Sequence, residues 1–155
     1  MWQNVLHSRP FDPQSVVIQG LAEPIIAARE NDYLPRRVVF QEHDFKAAQN
    51  IKGAYFYHIR ARLHDYGDEE CAQFLGHIAA AMEQHSTLLV AENVLPSEIS
   101  PERHSHLMDI WMCLFGGNER TTADFVRLFQ AAGLQLKGIQ DSGRGDWKIL
   151  ETVLA

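Results

Sequence analysis

The chain has 155 residues, 46% of them hydrophobic, and a formal net charge of −6 scattered over many short segments. That length suits one globular domain with a buried core, and the lack of a Lys/Arg stripe or of aromatic–basic interleaving excludes a nucleic-acid partner. No apolar run approaches a membrane span and no signal peptide opens the chain, so a cytoplasmic protein with no membrane partner is expected.

Residues 1–14, with Pro10 and Pro13 around Phe11-Asp12, read as an irregular lead-in, and residues 15–155 as a single domain. SVVIQG predicts a short buried strand ended by Gly20. The helix after it tolerates Pro24 in its first turn and carries Ile25, Ile26 and Ala28 as apolar positions. RRVVFQEHDF contains a second strand, and GAYFYHIRARL a third that grows polar toward His64. From Asp68 to about Gln84, the residues Cys71, Phe74, Leu75, Ile78, Ala81 and Met82 share one helical stripe, with Asp68 as N-cap. STLLVAENVLP predicts a fourth strand, closed by Pro96. Beyond Pro101, Leu107, Ile110, Trp111 and Leu114 recur at helical spacing until GGNER breaks the element. Thr121 caps a helix carrying Phe125, Leu128 and Phe129, and Gly133 stops it. Two last strands, LQLKGI and WKILETVL, flank the turn QDSGRGD as a hairpin. Strands alternating with helices predict an α/β fold with a mostly parallel sheet, helices on both faces and an antiparallel C-terminal hairpin. Cys71 and Cys113 lack metal-ligand spacing and a disulfide framework, so both read as reduced core cysteines and no metal site is expected.

Ligands of open α/β sheets bind beyond the carboxyl ends of the strands. The polar residues there are Gly20, Asp44, His64-Asp65 and Glu92, and Glu119 sits on a glycine-flanked loop able to return to the same rim. A histidine with carboxylates nearby makes a base whose imidazolium is stabilised as it forms. The same residues also suit a turn-capping histidine with two surface salt bridges, and spacing leaves both readings open. No GxSxG, P-loop, HExxH or CxxC pattern occurs, so serine hydrolase, NTPase and zinc chemistries have no support.

Three spaced segments resemble a known family. RARLHDYGDEECAQFLGHIAAAM is similar to the LHDWSDEdC segment of the plant and fungal small-molecule S-adenosylmethionine-dependent O-methyltransferases. TLLVAENVLP is similar to their LLIxExVLP strand, and DIWMCLFGGNERTTADFVRLFQAAGL to their DlxMLxxxxGxERTxxEwxxLLxxAGF segment. VVIQGLAEPIIAARE and RVVFQEHDF resemble the segments bearing the ribose-binding acid and the xGDFF strand end. The resemblance covers about residues 15 to 154 and implies a methyltransferase-type, Rossmann-like domain. It implies His64 as the general base toward an acceptor hydroxyl, Glu92 and Glu119 as the acids flanking it, and Asp65 as the aspartate beside it. Asp44 and Phe45 match adenine-side contacts of S-adenosylmethionine, and Arg60 a basic residue near the cofactor.

The departures fall on the donor side. MWQNVLHSRPFDPQ has no glycine where the family carries its cofactor loop, and Gly20 replaces the ribose-binding acid. Tyr66 replaces the tryptophan of HDW, and the family's N-terminal dimerisation region has no counterpart. The expectation is therefore a domain truncated before its second strand, whose Asp44, Phe45 and Arg60 are vestigial. Its His64 would do acid/base work on a phenolic, enolic or polyketide-type molecule without autonomous methyl transfer: isomerisation, dehydration, cyclisation or a pericyclic step. No cofactor is expected for the isolated chain, and S-adenosylmethionine only with a partner. Trp111, Phe115 and Tyr66 are candidate pocket residues, and Tyr55, Tyr57 and Trp147 lie on the same apolar rim. The alternatives are O-methyl transfer with a donor site completed by another chain, or a non-catalytic partner of a full-length methyltransferase. The missing central strand predicts a homo-oligomer or a complex with a relative.

Overall fold

The computed structural model describes residues 16–30, 38–96, 103–114 and 116–155. The lead-in 1–14 and Phe115 thus lie outside the described residues. The chain divides into two compact units, residues 1–47 and 48–155.

The first unit is a β-α-β element. Strands β1 (Val17–Gly20) and β2 (Val39–Glu42) pair in parallel, in register from Val17–Val39 to Gly20–Glu42. Helix α1 (Ala22–Glu30) joins them, with Pro24 in its first turn, where the missing N–H costs nothing. Arg29 donates to the Phe40 carbonyl at 2.8 Å and ties the helix end to β2. Of the apolar positions expected on this helix, Ile25 is buried, whereas Ile26 is exposed.

The second unit is built on β4 (Thr87–Leu95). Strand β3 (Phe56–Arg60) lies parallel beside it, and β7 (Trp147–Leu154) antiparallel on the other side. Strand β6 (Leu134–Arg144) pairs antiparallel with β7, giving the order β3-β4-β7-β6, and the short β5 (Arg120–Thr121) runs parallel to the end of β4. The parallel pairs with an antiparallel C-terminal hairpin make the α/β architecture that the pattern predicts. Because side chains alternate along a strand, Leu88, Val90, Glu92 and Val94 face the same side of β4. On that side Leu88, Val90 and Val94 join the core, packed with Cys71, Leu75 and Ile78 of α2 (Asp68–Ala79) and Phe125, Leu128 and Phe129 of α4 (Thr122–Ala131). Burying side chains of this size contributes roughly 1.5–3 kcal/mol each. The core face of β4 therefore becomes polar at Glu92, beside the end of β3.

Several boundaries differ from the sequence expectation. Helix α2 ends at Ala79, and Ala81 and Met82 are buried in the turn beyond it. Its N-cap is Gly67, not Asp68, because the Asp68 carboxylate is engaged by Arg120. The expected turn QDSGRGD is mostly strand: β6 continues to Arg144 through a register shift after Asp141. Left-handed glycines make this extension feasible, Gly143 at φ 71° and Gly145 at φ 57°. Helix α3 (Arg103–Leu114) forms where predicted, yet Ile110, Trp111 and Leu114 are 61%, 57% and 79% exposed. Cys113 is exposed as well, so only Cys71 is the core cysteine expected. Helical spacing identifies an apolar stripe but not whether anything covers it.

Candidate active site

The site begins where β3 ends. Ala61 takes the left-handed conformation at φ 51°, which costs a non-glycine residue roughly 1–2 kcal/mol. A single 3₁₀ turn, Leu63–Asp65, follows and carries His64. Glu92 explains what holds the reversal: one of its carboxylate oxygens, Oε1, accepts from the backbone N–H of Arg62 at 2.8 Å and of Leu63 at 2.7 Å. The carboxylate is thus fixed by two consecutive amides before any side chain reaches it.

Its second oxygen, Oε2, lies 2.9 Å from His64 Nδ1, and the Glu92 side chain is 1% exposed. The contact is at ion-pair distance but is not aligned as a linear hydrogen bond. His64 keeps 17% of its side chain exposed, and Nε2 lies 3.5 Å from Asp65 Oδ1, whose carboxylate also contacts Arg62. Glu119 is buried and places Oε1 4.0 Å from His64 Nδ1. Its backbone N–H is anchored on Asp109 of α3 at 3.0 Å. The Glu92 carboxylate at Nδ1 holds the imidazole above the usual histidine pKa. Burial opposes this, while the charges of Glu92, Glu119 and Asp65 add to it. Burial pushes the Glu119 carboxyl above its usual value, against the attraction of His64 and an interaction with the Asn93 side chain; the nearby carboxylates Glu92 and Asp109 add to the rise. His64, Glu92, Glu119 and Asp65 thus converge on one place, reached from three separate stretches of chain.

Three further residues shape this place without having been singled out from the sequence. Arg120 is buried, and its guanidinium donates to the carbonyls of Leu63 (2.7 Å) and Tyr66 (2.9 Å) and to Asp68 (2.8 and 2.7 Å). Asn118 donates its backbone N–H to the His64 carbonyl at 2.9 Å. At Gly117 an added Cβ would lie 1.9 Å from that same carbonyl oxygen, so only glycine fits. The signal in the sequence was the run GGNER itself, which was read as a helix breaker. Cys71 also serves the turn, its thiol 3.2 Å from the Leu63 carbonyl, and burial pushes its pKa up to about 11, so it stays a donor.

The pocket candidates are less concentrated. Tyr66 packs edge-on against Phe74, with ring centroids 5.1 Å apart, and borders the core. Tyr57 is a core residue whose hydroxyl lies 2.9 Å from the Ile51 and Ala81 carbonyls. Tyr55 is exposed beside His85, and Trp111 is exposed on α3. Trp147 lies under the Arg60 guanidinium, 5.7 Å from its ring centroid.

A sequence profile for the O-methyltransferase domain matches residues 8–135. The chain belongs to the O-methyltransferase domain family. Methyltransferase pynC of Aspergillus niger is 34% identical over 94% of this chain and 39% of its own length. Demethylsterigmatocystin 6-O-methyltransferase stcP of Emericella nidulans is 34% identical over 78% of this chain and 57% of its own. Among solved structures, a pericyclic reaction enzyme superposes with a TM-score of 0.88 at 25% identity, covering 99% of this chain and 39% of that one. LepI in complex with SAM gives 0.89 at the same identity and coverage. The mitomycin 7-O-methyltransferase MmcR gives 0.81 at 28% identity, covering 90% and 41%. The chain therefore spans well under two thirds of the length of these relatives, and its fold is that of the class I methyltransferases.

The family and its solved neighbours bind S-adenosylmethionine, and four residues expected on the donor side lie among the described ones. Gly20 offers no carboxylate to the ribose hydroxyls. Its position does not demand glycine, since an added Cβ would only reach ordinary contact with Ile25 at 3.6 Å. Asp44 accepts from the Lys46 backbone N–H at 2.9 Å in a local turn, Phe45 is half-buried nearby in sequence, and Arg60 is drawn over Trp147. The segment expected to lack the glycine-rich loop lies outside the described residues.

Proposed function

We propose that this domain performs acid/base chemistry on a hydroxyl of a phenolic, enolic or polyketide-type small molecule, with His64 taking and returning the proton. The observation that carries this reading is the double engagement of Glu92: two backbone amides on Oε1 and His64 Nδ1 at 2.9 Å from Oε2. A carboxylate held this way favours the proton on Nδ1 and leaves Nε2 as the acceptor for a substrate proton. The imidazolium that forms is stabilised by Glu92, with the charges of Glu119 and Asp65 adding to it. The reaction is an isomerisation, dehydration, cyclisation or pericyclic step. The likeness to a pericyclic reaction enzyme at a TM-score of 0.88 supports that class. Gly20, in place of the ribose-binding acid, supports the absence of methyl transfer by this chain alone.

A second reading is O-methyl transfer, with the donor site completed by a longer chain or by a partner. The family match and the partial coverage of relatives favour it. Among the described residues, strand β3 has a hydrogen-bonded neighbour on one side only within its sheet, and such an edge accepts a further strand. A homo-oligomer, or a complex with a related methyltransferase, follows from either reading.

The test is incubation of the chain with a panel of hydroxylated polyketides, with and without S-adenosylmethionine, read by liquid chromatography and mass spectrometry. A new isomer or dehydration product formed without the donor, and lost in His64→Ala, supports the first reading. A product heavier by one methyl group, formed only with the donor, replaces it by the second.

A further inference from the structure

We propose that Arg120 is the positioning residue of the site, holding the His64 turn and the strand of Glu92 in one fixed relation. The proposal rests on the reading of His64 as the acid/base group. Arg120 stands at a junction: its backbone in β5 is in register with Val94 of β4, two residues beyond Glu92. It directly follows Glu119, so its placement also fixes where that carboxyl enters the site. From there its side chain crosses to the other partner, reaching the Leu63 and Tyr66 carbonyls that flank His64 on either side.

An ordinary ion pair would need only Asp68, which is largely exposed, whereas Arg120 is 1% exposed. A buried guanidinium is tolerated when its N–H groups are all directed at acceptors. Here Nε and Nη2 take Asp68, Nη2 also takes Tyr66, and Nη1 takes Leu63. The planar fork spans three acceptors that a lysine ammonium, a single point of charge, does not span. These contacts fix the backbone at residues 63 and 66 and tether the Asp68 side chain, leaving His64 little freedom to swing from Glu92. With the loop released, Nδ1 and Oε2 separate and the base loses its orienting charge.

Arg120→Lys keeps the charge and removes the fork, and Asp68→Ala releases the guanidinium from outside at an exposed position. The measurement is the titration of the His64 ring by NMR in the 155-residue chain, together with circular dichroism to establish the fold. In both variants the midpoint should fall toward the free-histidine value of about 6.5. The drop should be larger for Arg120→Lys, and kcat should fall with KM little changed wherever turnover is assayed. Folded variants whose His64 titrates as in the parent chain overturn the proposal. Should Arg120→Lys fail to fold, Asp68→Ala decides alone. Because the titration needs no substrate, a failure of the proposed chemistry and a failure of the positioning role give different results.

Discussion

Gly117 touches the backbone of His64 so closely that a methyl group on its Cα would sit 1.9 Å from the His64 carbonyl oxygen. The loop that supplies Glu119 is thereby pressed against the turn that supplies the base, and the Asn118 amide closes the contact with a hydrogen bond of 2.9 Å. Gly117→Ala must push the two segments apart. The expected cost is about 1–3 kcal/mol of stability, as for overpacking elsewhere. A fall in turnover of about a hundredfold is also expected, because displacing a catalytic group by an ångström has that scale of effect. Chemical denaturation and steady-state rates check both. A variant of parental stability and rate would mean that the contact is not made.

Glu92→Gln tests the orienting carboxylate in a specific way. The amide oxygen of glutamine will turn to the Arg62 and Leu63 N–H groups, which both require an acceptor. Its NH₂ then faces His64 Nδ1 and forces the proton to Nε2, the wrong tautomer for a base. Turnover should drop by about 10²–10⁴, and the His64 midpoint should move down, since the interaction with Glu92 is the largest cause of its elevation. NMR of the ring nitrogens reports the tautomer directly, and an unchanged tautomer would contradict the assignment.

Stability should decline as pH rises across the range in which His64 titrates. Its folded pKa lies above the unfolded one, so its contribution is complete below the unfolded value of about 6.5 and is lost as pH rises through the folded value. Glu119 acts in the same direction at lower pH. Its folded pKa is also raised, so the fold loses stability from the unfolded value of about 4.3 up to the folded one. Urea denaturation at stepped pH measures the slope, and His64→Ala should remove the upper part of it.

The start of α4 offers a separate test of stability away from the site. Thr121 accepts from the Asp124 N–H, and Asp124 accepts from the Thr121 N–H, a reciprocal capping box. Hydrogen bonding from the Thr121 side chain is the largest cause of the lowered Asp124 pKa, with the backbone amide and Arg127 adding to it. Thr121→Ala should cost about 1 kcal/mol. The part carried by the Asp124 carboxylate is present above the unfolded aspartate value of about 3.9 and lost as pH falls through the folded one. Parent and variant should therefore draw closer in strong acid while still differing by the bond from the Asp124 N–H to the Thr121 hydroxyl, as thermal melts across pH will show.

Gly20→Asp asks whether the donor side was lost at one position. Among the described residues an added Cβ meets only Ile25 at 3.6 Å, so the variant should fold with a melting temperature close to the parent's. A restored carboxylate supplies charged hydrogen bonds to ribose hydroxyls, so affinity for S-adenosylhomocysteine should rise about tenfold or more by calorimetry. Micromolar binding by the parent chain, unimproved in the variant, would show that the glycine is not the obstacle.

Local patterns carried much of this molecule. The stripe of Cys71, Phe74, Leu75 and Ile78 identified the face of α2 because burial on a helix recurs at its own period. Thr121 and Gly133 marked the ends of α4 because capping and left-handed φ are chemistries of single residues. The same locality explains the misses. Asp68 looked like an N-cap because its competitor, Arg120, is 52 residues away. The stripe of Ile110, Trp111 and Leu114 predicted the helix correctly, but nothing local tells whether such a stripe is covered.

The sequence by itself determined the order of the main strands and helices, since residue type and spacing are written along the chain, and its resemblance to the family pointed to His64, Glu92 and Glu119 as the residues to watch. Tertiary structure alone decided that Glu92 is clamped by two amides, that Glu119 is buried, and that Gly117 and Arg120 lock the His64 turn. Those facts depend on distances between segments 29 to 57 residues apart, from Leu63–Glu92 to Leu63–Arg120. Such distances are set by how the strands stack and the loops return, not by any neighbour in sequence.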